Sequence, residues 1–360
     1  MPGYDFLVRR DDLRDARFEE SSVADTEPAP GQVLLRIDKF GFSANNVTYG
    51  VLGDTLGYWE FFPGPAGWGR IPVWGYADVV ASAHDDVQEG QRAFGYLPMS
   101  SHHILGVERT DAGFKRAPML EHLASVYQRY MRADDSRHDP AREDLEALWR
   151  PLFVTSFGLA DFLTEKDLFE AEAVVFSSAS SKTSLGTAYL LSRNEPRRGD
   201  VIALTSAGNA DFCERLGYYD LVVTYENLTS LPQRPTAFVD VGGSERVRSD
   251  LRKHLGASLK QTVSVGVAQW EEQDPTGGLG DADSQFFFLP SWMNERREAW
   301  GPGVFMSRYV EAWERFIPSL SDWMKVIHGH GTVAVEQTYR ELLDGKTSPE
   351  IGHILSLTAR

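Results

Sequence analysis

The stretch Ser177-Ser-Ala-Ser-Ser-Lys-Thr-Ser184 crowds hydroxyls around one amine, Lys182, directly after the apolar run Val174-Val-Phe176. Hydroxyls and an ammonium suit an oxyanion, because they donate hydrogen bonds and bring positive charge. On a strand-to-helix turn they would meet it at the helix N-terminus, where unpaired N–H groups and the helix dipole add to the attraction. A common dinucleotide-binding turn relies on glycines that let the backbone approach a pyrophosphate. Here a glycine comes only at Gly186, inside the expected helix 183–193, so side chains must supply what bare backbone supplies elsewhere. Ser178, Ser180, Ser181, Lys182 and Thr183 are the candidate phosphate ligands, although the same serines also suit plain helix capping.

The next strand, Val201-Ile-Ala-Leu-Thr205, is followed by Ser206-Ala-Gly-Asn209, with no carboxylate before Asp211. A carboxylate there would bind the ribose hydroxyls of NADH and repel a 2′-phosphate, whereas Ser206 and Asn209 are small donors. NADPH is therefore the expected cofactor, ahead of NADH. Gly242, after the strand 237–241, completes the candidate cofactor-binding set.

Proton chemistry points elsewhere. Tyr49, with Asn46 just before it, follows the long strand 32–42 and carries a phenol able to donate a proton. Asn in a turn and a packed Tyr explain the same residues structurally. His102 and His103 can titrate near neutral pH, but neighbours in a strand point to opposite sides, so at most one faces a cleft. Tyr58, Trp59, Phe61, Phe62, Trp68 and Trp74 sit among glycines and prolines, either as core or as the wall of an apolar cleft for a ring-bearing substrate. Arg296 and Arg297 suit an acidic group or mere solvation. Tyr127 and Tyr130 fit one face of a helix. The pairs His102-His103 and His328-Gly-His330 lack companion ligands at metal spacing, so no metal is expected.

The elements that would position these residues fall into two styles. Strands 32–42, 76–81 and 92–97, set between glycine and proline turns, predict a β-rich, barrel-like domain. Helices over 143–149 and 151–164 follow a solvated loop at 134–140. From residue 171 short strands alternate with helices (174–176, 183–193, 201–205, 210–216, 221–223, 237–241, 245–255, 261–265), which means βαβ units and a parallel sheet. An amphipathic helix over 309–324, the apolar triplet 333–335, a helix 336–343 and a strand near 353–357 close the chain.

Composition excludes several partners. A formal charge of −16 opposes nucleic acid and anionic membranes. No apolar run is long enough to span a bilayer, and Met1-Pro-Gly-Tyr-Asp-Phe6 does not read as a signal peptide. The single cysteine, Cys213, suits a reducing cytoplasm.

In order along the chain, Pro30-Gly-Gln-Val-Leu-Leu-Arg-Ile37, Glu89-Gly-Gln-Arg-Ala-Phe-Gly-Tyr-Leu-Pro98, the turn 174–188, Leu204-Thr-Ser-Ala-Gly-Asn-Ala-Asp-Phe-Cys-Glu-Arg-Leu-Gly217 and Phe238-Val-Asp-Val-Gly-Gly243 resemble the medium-chain dehydrogenase/reductase superfamily. The likeness is to its zinc-free, quinone-oxidoreductase-like branch, and within that to an uncharacterised family. It implies an α/β protein: a GroES-like β-rich domain over 1–150, a doubly wound Rossmann domain over 151–300, and a return over 301–360 that packs on the first. It also implies a homodimer and Asn46 and Tyr49 near the nicotinamide, with His102 as a further candidate. Where zinc-dependent members carry a cysteine and a Gly-His-Glu, this chain has Ser43-Ala44 and Trp74-Gly75. The activity implied is an NADPH-dependent reductase of an activated alkene, quinone or carbonyl. The unusual turn keeps open a non-redox lyase or isomerase, or a cofactor-binding protein without turnover.

Overall fold

A computed structural model describes residues 3–135, 138–196, 198–265 and 284–358, so Ser136 and Arg137 of the expected loop 134–140 lie outside the described residues. The chain divides into two compact units, Met1–Arg150 with Lys325–Arg360, and Pro151–Met324.

The first unit opens with the antiparallel pair β1 (Gly3–Arg9) and β2 (Ala16–Ser21). Then come β3 (Gln32–Phe42), α1 (Ala44–Val51), α2 (Tyr58–Phe61), β4 (Trp68–Gly69), β5 (Pro72–Ser82), β6 (Arg92–Pro98), β7 (His102–Thr110), β8 (Gly113–Arg116) and β9 (Arg129–Arg132). Strands β3, β5, β6, β9, β8 and β7 pair in that order, and β7 returns to β3 from Gln32↔Gly106 to Arg36↔His102. That last pairing closes a barrel. Register shifts in the β3–β5 ladder, between Leu34 and Leu35 and between Ile37 and Lys39, supply the extra bend that closure needs. Val33, Leu35 and Ile37 alternate along β3 and are buried. Tyr127 and Tyr130 do not share a helix: β9 is held in the barrel between β6 and β8, and Tyr130 donates to the Tyr96 carbonyl at 2.9 Å.

The two helices expected over 143–149 and 151–164 are one, α3 (Glu143–Glu165), running through Pro151. Proline leaves the carbonyl of Ala147 without its helical donor. The Gly41 backbone packs closely on that carbonyl, which would lie 2.5 Å from a Cβ at this position.

The second unit continues with β10 (Ala173–Phe176), α4 (Lys182–Ser192), β11 (Asp200–Thr205), α5 (Ala207–Leu216), β12 (Leu221–Thr224), β13 (Thr236–Asp240), α6 (Glu245–Leu255), β14 (Leu259–Ser264), β15 (Ser284–Phe286), α7 (Leu289–Trp300) and α8 (Val304–Leu320). The sheet order is β12-β11-β10-β13-β14-β15, and every pairing is parallel. This is the doubly wound Rossmann order, which reverses direction at β10. On one face Val175, Ile202, Leu204 and Phe238 pack with Val247, Leu251 and Leu255 of α6. Helix α8 starts earlier than expected, after Gly303 in the left-handed region, and ends at Leu320.

Strand β16 (Lys325–His330), α9 (Gly331–Leu343) and β17 (Ile351–Ser356) return to the first unit, where β17 pairs antiparallel with β3 and parallel with β16. The triplet 333–335 is not a separate element but the first turns of α9. Val335, Tyr339 and Leu343 form its buried stripe at helical spacing, while Val333 is 79% exposed. Among the described residues no helix is long and apolar enough to cross a membrane.

Gly186 has a packing role within α4. A Cβ there would sit 2.6 Å from Ser156 Oγ and 2.9 Å from Ser156 Cβ, and Ser156 is itself buried. Gly186→Ala should therefore destabilise by about 1–3 kcal/mol as an overpacking change. Urea unfolding checks this, and adding Ser156→Ala should restore part of the loss.

Candidate functional site

The turn Ser177–Ser181 leaves the carboxyl end of β10, where the sheet order reverses and open α/β sheets form their ligand crevice. Ser178 is held in the left-handed region, at φ 44°, a conformation that costs a non-glycine residue about 1–2 kcal/mol. Ser181 caps α4, its Oγ accepting from the Ser184 amide at 3.3 Å and donating to Ser184 Oγ at 3.0 Å. Ser180 Oγ accepts from Asn209 Nδ2 at 3.0 Å, so Asn209 braces the turn from the start of α5. Ser206 is the exposed N-cap residue of that helix, and Asp211 is exposed further along it.

Much of the backbone is already engaged. The amide of Ser178 donates to Tyr225 Oη at 2.8 Å, that of Ala179 to the Leu204 carbonyl at 3.3 Å, and that of Ser181 to the Ser178 carbonyl at 2.8 Å. Ser177 Oγ donates to Asp240 Oδ1 at 2.8 Å and accepts from the amides of Val241 and Gly242, at 2.9 and 3.0 Å. Asp240, 1% exposed, also takes the Gly243 amide and the Arg248 guanidinium, at 2.9 and 2.8 Å. The Gly242 amide is thus spent on Ser177.

Ser178, Ser180, Ser181, Lys182 and Thr183 are all half-buried, and burial pushes the Lys182 amine down to about 8. An ammonium in so poorly hydrated a place gains more from an arriving phosphate than one on an open surface. Hydroxyls, an ammonium and a helix N-terminus at the switch point fit a nucleotide phosphate. Sequence reasoning missed Ser177, Tyr225, Asp240 and Arg248. An acid ending a strand before Gly242-Gly243 was a readable signal for Asp240; Tyr225 offered none.

In the first unit, Asn46 is 4% exposed and closes a capping box on Ser43, its Oδ1 accepting from the Ser43 amide at 2.9 Å. Its Nδ2 donates to the Pro72 carbonyl at 3.0 Å. Tyr49 lies among aromatic rings, with centroids of Tyr58, Tyr96 and Tyr127 at 4.8, 5.4 and 6.4 Å, and its hydroxyl accepts from Trp74 Nε1 at 3.2 Å. Burial, helped by the neighbouring Tyr127, raises its pKa, so the phenol stays protonated at neutral pH. His102 is half-buried on β7 with Nδ1 3.0 Å from Ser101 Oγ; burial and then the Arg36 charge lower its pKa.

Tyr58, Trp59, Phe61, Phe62 and Trp74 are buried, so these rings are packed core rather than an open wall, while Trp68 stacks under Arg17 at 3.9 Å. Arg296 is committed inside the second unit, 2.9 Å from Asp161 and over the Trp292 ring. His328 Nε2 lies 2.7 Å from Asp144 Oδ2. Among the described residues no three His, Cys, Asp or Glu side chains converge as a metal site would require.

Over residues 40–348 the sequence matches a family described as a protein of unknown function, DUF2855. No curated protein sequence matches the chain. CurA from Vibrio vulnificus, solved in complex with NADPH, is similar at a TM-score of 0.63 and 13% identity, over 99% of this chain and 100% of its own. A mutant enoyl thioester reductase from Candida tropicalis gives 0.56 at 11% identity, over 99% and 100%. Quinone oxidoreductase from Coxiella burnetii gives 0.52 at 11% identity, over 99% and 100%. The shared feature is the fold, that of the medium-chain dehydrogenases/reductases.

Proposed function

This chain belongs to the DUF2855 family, and we propose that it is an NADPH-dependent, zinc-independent reductase of an activated alkene, quinone or carbonyl compound. The observation that carries the reading is the cluster of half-buried hydroxyls around Lys182 at the switch point of the parallel sheet. Lys182, Thr183, Ser178 and Ser180 would hold cofactor phosphates, and Ser206 the 2′-phosphate; Ser181 serves as the helix cap, its hydroxyl spent on Ser184. With no carboxylate between Thr205 and Asp211, nothing at the strand end repels that phosphate. NADPH, when bound, supplies a hydride. The protein's own part is to orient the substrate and deliver a proton, and Tyr49, kept protonated by its surroundings, is the assigned donor. A reducing compartment suits Cys213, whose thiol burial pushes up to about 12.

The test is direct. Titration with NADPH and NADH, followed by nicotinamide fluorescence, should show tighter binding of NADPH; failure to bind either removes the reading. Turnover on enones, quinones and aldehydes then defines the reaction. Tyr49→Phe should lower kcat by about 10²–10⁴-fold with little change in cofactor affinity, as expected for loss of a general acid. The internal bonding of the Ser178, Ala179 and Ser181 amides favours a second reading, a non-redox enzyme or a binding protein on this scaffold. Tight NADPH binding without oxidation by any of these substrates would select it.

A further inference from the structure

We propose that the barrel of the first unit binds a small monovalent anion, of halide or carboxylate type, between Arg70, His103 and Arg116. Two buried polar atoms there have no hydrogen-bond partner in the protein: Arg70 Nε and His103 Nε2. Both residues lie against Phe62: its ring is 5.3 Å from that of His103, and its carbonyl accepts from the Arg70 amide at 3.3 Å. Arg116 reaches the same segment from β8, donating to the Phe61 carbonyl at 3.0 Å, while Arg70 donates to that of Pro63 at 2.8 Å.

Every unpartnered atom in this group can donate a hydrogen bond, counting the imidazole in its Nε2–H form. Buried donors left without acceptors are costly, and a single acceptor reached by all of them relieves the cost together. The charge points the same way. Arg70 faces Asp5 at 3.4 Å, and that carboxylate also takes Ser100 Oγ. Arg116 makes no ion pair among the described residues, so two guanidiniums are set against one carboxylate. The remaining positive charge calls for a monoanion rather than water, which would bring hydrogens of its own into a ring of donors. The positive surroundings also register on His103, which burial and the charges of Arg70 and Arg116 hold down at about 3. It therefore meets the anion as a neutral donor, and the two arginines supply the charge.

Thermal unfolding of the whole protein, with sodium chloride, bromide and formate compared with sodium sulfate at equal ionic strength, tests the site. The monoanions should stabilise saturably where sulfate does not. Arg116→Gln should raise the midpoint anion concentration by about tenfold, the usual scale for one charge-assisted hydrogen bond. Stabilisation that follows ionic strength alone, or that is equal in the variant, overturns the proposal. Should Arg116→Gln fail to fold, crystals of the wild-type protein soaked in bromide decide the matter. An anomalous peak in contact with Arg70 Nε and His103 Nε2 supports the site, and its absence at a concentration that saturates the surface overturns it.

Discussion

Replacing Lys182 by Met is expected to move two measurements in opposite directions, weakening NADPH binding while stabilising the cofactor-free protein at pH 7. Loss of a charge-assisted contact to phosphate corresponds to about 1.5–3 kcal/mol, or roughly 10–150-fold in Kd. The stability gain follows from the amine's lowered pKa, which falls from 10.5 to about 8 because burial disfavours its charge. Below pH 8 the folded chain must carry a poorly hydrated ammonium, and methionine removes that burden. Between about 8 and 10.5 the unfolded chain binds more protons than the folded one, so wild-type stability rises with pH there and the advantage of Met fades. Cofactor affinity has the reverse trend. It should hold near pH 7 and weaken as the pH climbs past 8, because deprotonation removes the charge that the phosphate meets; in Lys182→Met the Kd should be flat over the same span. Fluorescence titrations at pH 7 and 9, beside urea unfolding of both proteins, read all of this. Unchanged affinity in the variant would end the phosphate assignment for Lys182.

Arg92→Met should be the most destabilising single change in the first unit, by about 3–5 kcal/mol, as for a buried ion pair that loses one partner. The Arg92 guanidinium holds both oxygens of Glu143, at 2.6 and 2.8 Å, together with Asp78 at 2.8 Å and Asp38 at 2.6 Å, and lies over the Tyr76 ring. Glu143, 4% exposed, starts α3 and is also met by Lys39 at 3.0 Å and His138 at 2.9 Å. Burial alone would raise its pKa, but the hydrogen bonds and charges of Arg92 and Lys39 outweigh burial and hold it at about 2. A lowered carboxyl pKa adds stability that is complete above the unfolded value, near 4.5, and is lost as the pH falls through about 2. The gap between wild type and Arg92→Met should accordingly be full at pH 7 and shrink below pH 4.5. Urea midpoints at pH 7 and 3.5 give both numbers. A gap that widens toward acid would show that Glu143 is not the group concerned.

The parallel sheet was legible because β10, β11 and β13 are short apolar runs bounded by turn residues, buried on both faces. Strand β3 was legible from its alternation and from the Pro30-Gly31 turn. Other parts of the barrel were hidden in ordinary-looking segments. Strand β9, Arg129-Tyr-Met-Arg132, is defined by neighbours far away in sequence, and nothing local marks it. In the same way, Pro151 reads as a helix break, and the Gly41 backbone that packs on the Ala147 carbonyl is distant in sequence. The place of the Ser/Lys turn, between a strand and a helix of the parallel sheet, was readable from residue type and order. Its internal bonding was not, because Tyr225 lies 47 residues from Ser178 and Asp240 63 from Ser177. The aromatic run from Tyr58 to Trp74 carried two readings, and the structure makes it core.

The bonds of Ser177 bear on how such a turn can change over generations of substitution. Converting it to the glycine form would strip Ser177 Oγ from the amides of Val241 and Gly242 and from Asp240, leaving that acid to Arg248 and the Gly243 amide. Each intermediate along that route carries buried polar groups without partners, so the order of replacements matters and the first step is unfavourable by itself. A swap to Gly at 177 should consequently be tolerated only when another acceptor takes up the amides of Val241 and Gly242. The turn is thus an evolutionary lock, open to remodelling only by compensated exchange.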